Sequence, residues 1–242
     1  EPLDWGTLMI LINEDYTAVG TGIGDEPASA AQWLFDRIDR ARVAVGAAPA
    51  LATLSPDARS SIAVALDAEA ADLWHQIAAL GDADPAGATI VIEFARGGPE
   101  GSDLPITPPF GYEYAFGLLS PQILSRAAIL YVQVTPEESR RRNEDRGRPG
   151  REGDAAILHH GVPEAVLRGD YGIDDLLWLM SHGDRDEIVV TSAGRTYRVP
   201  TAVFDNRVDH TSFLRDDPQT WPPEAVTRLH SELAAALSTL AR

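Results

Sequence analysis

Along the 242 residues, short continuous apolar runs alternate with longer stretches in which apolar residues recur every three to four positions. The runs stand at residues 7–12 (TLMILI), 89–94 (TIVIEF), 128–134 and 200–204, each closed by polar or glycine-rich residues. Apolar runs of that length between breakers predict buried strands. Helical spacing covers residues 28–43, where Trp33, Phe35, Ile38 and Val43 sit among charges. A second helix opens at Pro56 behind the N-cap candidate Ser55 and continues to about Leu80. Shorter helices are expected over residues 120–126 and, in pieces broken at 161–163 and 169–172, over 155–180; a last one runs over 223–240. Residues 187–190 and 196–199, joined by Ser192-Ala193-Gly194, read as a β-hairpin. Glycine- and proline-rich loops fill 81–87 and 98–111.

Buried strands alternating with helices predict an α/β fold: a doubly wound, mostly parallel sheet flanked by helices, with the small hairpin inserted. There is no internal repeat and no low-complexity linker, so residues 1–242 are expected to form a single domain, with 135–185 as a lid and insertion region. Ligands of such sheets bind beyond the carboxyl ends of the strands. The residues that follow each strand are therefore the place to look for chemistry: 13–16, 93–96, 135–138 and 205–206. All four groups contain carboxylates.

Composition narrows the partners. There are 37 acidic residues against 20 basic ones, a formal charge of −17, and every basic residue is Arg. Like charge disfavours general nucleic-acid or anionic-membrane binding. The absence of Cys excludes disulfides and thiolate metal sites and fits a cytoplasmic protein. No apolar run approaches the ~18 residues of a membrane span, and no signal peptide is visible. A homodimer is compatible with all of this. The chain begins at Glu1 rather than Met, which leaves an upstream segment as an open expectation.

Against that acidic background, six arginines fall within twelve residues: Arg140, Arg141, Arg142, Arg146, Arg148 and Arg151. On a helix begun at Pro136 the first three fan over different faces, while Arg142 and Arg146 share one. Guanidinium groups bind phosphate through a planar fork and stabilise a transferring phosphoryl group. The plainer alternative is a solvated, salt-laced helix, since Glu137, Glu138, Glu144, Asp145 and Glu152 are interleaved.

The order strand, Thr-Pro-Glu-Glu, arginine helix and arginine loop resembles the lid region of P-loop kinases of the nucleoside, nucleotide and small-molecule type. TIVIEFARG resembles their Walker-B-like strand, and VPTAVFDN their late strand and Asn-containing base loop, followed as here by a C-terminal helix. The resemblance covers roughly residues 89–242, apart from 159–198. It implies a P-loop NTPase-like fold that uses Mg²⁺ and ATP or GTP, with nucleotide and a small hydroxyl- or phosphate-bearing acceptor as partners. It further implies Glu93 at the metal and in catalysis, Arg142 and Arg146 on the transferring group, Arg140 and Arg148 on the phosphates, and Asn206 by the base. One departure is large: the phosphate loop GxxxxGK[ST] is missing from a chain without Lys, and Gly20–Gly24 is not followed by the Lys and Ser/Thr that would meet phosphate and Mg²⁺. Either residues 7–12 are the second strand, with that loop upstream of Glu1, or the loop was lost.

If residues 7–12 are the second strand, Asp15, and after it Glu14, fall where such kinases orient the acceptor hydroxyl; a turn-forming Asn/Asp cluster is the alternative. Arg96 is expected to grip acceptor or phosphate, or to pair with Glu93. Phe110, Tyr112, Tyr114 and Phe116 alternate as a strand-like lid would, giving Tyr112 and Tyr114 as acceptor contacts, or else as a packed loop over the sheet edge. His159 and His160 lie beside acids, but adjacent side chains do not converge on one ion. Phosphotransfer is thus the leading expectation, with nucleotide or partner binding without turnover, and plain NTP hydrolysis, as alternatives.

Overall fold

The structure is a computed structural model that describes residues 2–84, 86–146, 161–184 and 186–241. It divides into two compact units, Glu1–Phe94 with Tyr114–Ile123, and Ala95–Glu113 with Leu124–Arg242.

The first unit is helical. Its long elements are α1 (Pro2–Ala18), α2 (Ala30–Ala44) and α3 (Pro56–Ala79). Ser29 caps α2, its side chain accepting from the Gln32 N–H at 3.2 Å, and Ser55 caps α3 ahead of Pro56. Ala30, Ala31 and Phe35 of α2 pack on Ala63, Ala70 and Trp74 of α3. The small alanines let the two backbones approach around one large indole.

Residues 7–12 lie inside α1 and are not a strand. A six-residue apolar run cannot distinguish buried strand from helix by pattern, and here the flanks decide. Leu11, Glu14 and Asp15 stand at helical offsets of three and four, and one side chain, Arg37 of α2, meets all three. In a strand Glu14 and Asp15 would point to opposite faces. Residues 89–94 likewise carry no strand among the described residues; Ile90 and Val91 are exposed. Apolar sequence makes a strand only where another edge accepts its backbone.

The second unit holds the sheet: β1 (Ile129–Gln133), β2 (Glu187–Ser192) and β3 (Arg195–Asp205), in the order β1-β3-β2. β1 pairs with β3 in parallel, Ile129 opposite Thr201 and Gln133 opposite Asp205. β2 and β3 form the expected hairpin, and the apolar run 200–204 continues β3 rather than starting a new strand. Between β1 and β2 run α6 (Pro136–Arg146), α7 (Glu164–Asp170) and α8 (Leu176–His182). α9 (Pro223–Leu240) packs on β3 and β1, and α8 on β2. Ile188, Val199, Ala202, Phe204, Leu176 and Leu229 are buried in this layer. The boundary between the units passes through α4 (Gly111–Gly117) and α5 (Pro121–Leu124). No helix among the described residues is long and apolar enough to cross a membrane.

Candidate functional site at the carboxyl edge of the sheet

Because β1 and β3 are parallel, Gln133 and Asp205 bring the chain out at the same edge. Two segments leave from there. After β1, Thr135 caps α6: its hydroxyl accepts from the Glu138 N–H at 3.1 Å and its carbonyl from Ser139 at 2.9 Å. That is what the Thr-Pro-Glu-Glu sequence encodes, with Pro at the first helical turn and acids toward the positive end of the helix dipole. After β3, the Asn206 N–H donates to the Gln133 carbonyl at 2.9 Å and the chain turns back toward α9.

The arginine helix meets this turn. Arg142 donates through Nη2 to the Asn206 carbonyl at 3.0 Å and through Nε to Glu138 Oε1 at 2.7 Å. Arg141 reaches Glu138 at 2.6 and 2.7 Å, Asp145 at 2.7 Å and Asp209 at 3.2 Å. Arg140 lies 3.4 Å from Glu137 and 3.9 Å from Glu100. The plainer expectation for these side chains, a salt-laced helix, therefore describes their arrangement. Hydrogen bonds from Arg141 and Arg142 hold the Glu138 carboxyl down at about 2. Burial works to raise Asp209, yet hydrogen bonds from Ser212 and Thr211 and the positive charge of Arg142 take it to about 2 as well. Arg146 closes α6; its side chain, together with Arg148, Arg151, His159 and His160, lies outside the described residues.

Asn206 is 2% exposed, and its amide is used within its own turn. Oδ1 accepts from the His210 N–H at 2.9 Å, and Nδ2 donates to the Thr211 hydroxyl at 3.0 Å. Asn206 shapes the loop and leaves its neighbours to face outward. Thr135, Asp205, Arg207, His210 and Glu232 line a groove of about 850 Å³ between β3 and α9, floored by Phe204. His210 Nδ1 and Glu232 Oε2 are 2.8 Å apart. An ionised Glu232 only accepts, so in this pair Nδ1 is the donor. Arg207 forks onto Asp205 at 2.9 and 2.7 Å, which holds that carboxyl down at about 2. Sequence reasoning reached Asp205 and Asn206 and passed over Arg207 and His210. The signal available was the run Asp-Asn-Arg-Val-Asp-His directly after an apolar strand.

Other residues singled out from the sequence lie elsewhere. Glu14 and Asp15 belong to the first unit, where Arg37, 5% exposed, bonds Glu14 Oε2 at 2.6 Å, the Leu11 carbonyl at 2.9 Å and Asp15. They do not follow a strand, which removes the placement argument for a role at an acceptor hydroxyl. Glu93 is exposed in an irregular segment, so the expectation of a buried carboxylate at a strand end is corrected. Gly20–Gly24 is the C-terminal cap of α1: Gly20, Thr21 and Gly22 donate to carbonyls of Leu80 and Ala18, with Gly20 and Gly22 at positive φ.

Arg96, buried in the second unit, donates to the Pro109 carbonyl at 2.8 Å. It neighbours a polar cluster in which Tyr131 donates to Asp174 at 2.7 Å and the rings of Tyr112 and Tyr131 meet edge to face. Burial pushes the Tyr112 hydroxyl up to about 12. Tyr112 and Tyr114 sit on helix α4, not on an extended lid, and two helical residues two apart do not share a wall. Tyr114 packs in the first unit, where its hydroxyl lies 2.9 Å from the position a Cβ on Gly6 would take.

For a nucleotide, the fit rests on Arg142, the 205–210 loop and the groove. For Mg²⁺ it is poor: such an ion takes one or two carboxylates beside phosphate oxygens, and Glu93, the acid implied for it, is exposed in an irregular segment of the first unit. No group of three or more His, Asp or Glu among the described residues is placed to hold a metal ion. No family model matches the chain, and neither the curated proteins nor the solved structures yield a match.

Proposed function

We propose that this chain is a nucleotide-binding phosphotransferase of the P-loop kinase-like kind, moving a phosphoryl group from ATP or GTP to a small hydroxyl- or phosphate-bearing acceptor. The observation that carries the reading is the bond from Arg142 Nη2 to the Asn206 carbonyl, 3.0 Å long, at the edge where two parallel strands end. It joins the arginine helix to the loop after the late strand, the two features that the sequence sets apart by more than sixty positions. The groove beside that loop offers an apolar floor with His210 and Asp205 at its rim, which suits a flat ring bearing polar edges. Arg141 and Arg142 supply the cationic groups that a phosphoryl transfer needs near its equatorial oxygens.

The test is titration calorimetry with ATP and GTP on the intact protein, followed by γ-phosphate transfer to a panel of nucleosides, nucleotides and small alcohols. Arg142→Gln, with its folded state checked by circular dichroism, should weaken nucleotide binding or transfer by tenfold or more, ~1.4 kcal/mol. A protein that binds neither nucleotide, or an Arg142→Gln variant with full turnover, would remove the assignment.

One observation favours a second reading, binding without turnover: the carboxylates Glu14 and Asp15 are engaged with Arg37. Calorimetric binding without any transfer or phosphate release would select it.

A further inference from the structure

The arginines that would meet a phosphate are already met by anions, and the two anions are of different kinds. Glu138 is on α6 itself and grips Arg141 and Arg142 at 2.6 to 2.7 Å, so it travels with the helix. Asp209 comes from the separate loop after β3. It lies 3.2 Å from Arg141 Nη2 and 3.6 Å from Arg142 Nη2, while its Oδ1 also accepts from Thr211 and Ser212 N–H groups at 3.2 and 2.9 Å. Its place is thus fixed by the loop, and its hold on the arginines is the looser of the two.

We infer that Asp209 is a built-in anion that occupies the phosphate position on Arg141 and Arg142, so that a polyphosphate ligand binds by displacing it. The inference rests on the nucleotide-binding reading above. An exchange of one anion for another keeps both guanidinium groups paired in either state, so neither is left as an uncompensated charge. A phosphate that entered without displacing Asp209 would instead sit within a few ångströms of a like charge. Exchange also discriminates by charge. A ligand with two or more negative charges gains more from two guanidinium groups than the single carboxylate it replaces, whereas a monoanion such as acetate gains nothing. Until exchange occurs, Asp209 latches α6 to the loop; afterwards the bond from Arg142 to the Asn206 carbonyl can persist.

The variant that isolates this is Asp209→Asn. Its Oδ1 still accepts from Thr211 and Ser212, so the loop keeps its hydrogen bonds while the charge is gone; Asp209→Ser serves the same purpose with a shorter side chain. Calorimetry with ATP and with inorganic tripolyphosphate, in low salt, should show both ligands binding about fivefold tighter to Asp209→Asn than to the unaltered protein, the scale of one exposed ion pair. The gain should shrink at 0.5 M NaCl, where short-range screening sets in, a dependence that a merely structural role would not show. Asp145→Asn removes an equal charge from Arg141 within the helix and should change affinity less than twofold. If the unaltered protein binds ATP and Asp209→Asn binds equally or more weakly, or if Asp145→Asn gains as much, the latch is wrong and the nucleotide reading stands. If the unaltered protein and both Asp209 variants bind neither ATP nor tripolyphosphate, both fall.

Discussion

Arg37 illustrates how one buried guanidinium organises its surroundings. It bonds Glu14, Asp15 and the Leu11 carbonyl, and its guanidinium carbon lies over the Trp33 ring, 5.4 Å from the ring centroid. Arg37→Met should cost about 2 kcal/mol, less than the ~3–5 of a fully buried pair because both carboxylates are more than a third exposed and can rehydrate. Urea unfolding followed by Trp fluorescence would measure it; a loss below about 0.5 kcal/mol would mean the pair contributes little. Burial raises the Asp15 carboxyl and Arg37 opposes it. Without Arg37 the folded-state value climbs further, so the cost of an ionised Asp15 is present above that value and relieved as pH falls through it. The deficit of Arg37→Met should therefore narrow in acid. Glu138 has the opposite sign. Its folded-state value of about 2 against 4.5 gives stability that is present above 4.5 and lost as pH falls toward 2. Glu138→Gln should flatten the acid limb of the unfolding midpoint over that window; an unchanged limb would show that the contacts of Glu138 with Arg141 and Arg142 do not persist in solution.

The elements show where pattern is enough and where it is not. The hairpin was legible because alternation, a Gly at the turn and a second apolar run all agree. β2 buries Ile188, Val190 and Ser192 on alternate positions. Its turn is two residues, with Ala193 at φ 49 and Gly194 at φ 72, the signature of the mirror-image turns that match strand twist. Ala193 pays for a left-handed backbone, so Ala193→Asn should stabilise the chain by ~0.5–1 kcal/mol and Gly194→Ala should destabilise it by about 1 kcal/mol. Thermal melts of the two variants should move in opposite directions, and a common direction would mean another turn geometry. α4 shows the converse. Its start is held by Asp175, fully buried, whose carboxylate accepts from Tyr112 N–H at 2.6 Å and Glu113 N–H at 3.2 Å. No local reading of Gly-Tyr-Glu-Tyr predicts a cap contributed from sixty positions away. Asp175→Ala should cost about 2 kcal/mol by leaving two helix N–H groups unsatisfied.

For the whole molecule the governing quantity is charge. A net −17 with a pI near 4.6 means that the folded chain repels itself at neutral pH. Raising NaCl from about 0.02 to 0.5 M at pH 7 should therefore lift the melting temperature by roughly 2–5 °C, through screening of long-range repulsion. A fall would indicate that ion pairs such as those on α6 outweigh the repulsion. The same field disfavours anionic ligands in general, so a phosphate site on this chain depends on local cations rather than on overall potential.

The helices at 30–44 and 56–79, the strand at 129–133, the hairpin and the last helix could all be read from the chain, because each is specified by residues close in sequence: a cap, a proline, a period, a turn. The arginine helix and its partners in charge were legible for the same reason, since Glu138 and Asp145 are three and four residues from Arg141. What only the tertiary structure decided were the choices that depend on a distant acceptor. Residues 7–12 became helix, with Arg37 meeting one face of it. Residues 89–94 were left without a strand, and Arg142 was joined to the Asn206 carbonyl sixty-four positions away. Periodicity and propensity report what a segment can bury, whereas hydrogen bonds and ion pairs between distant segments depend on what the rest of the chain places opposite it.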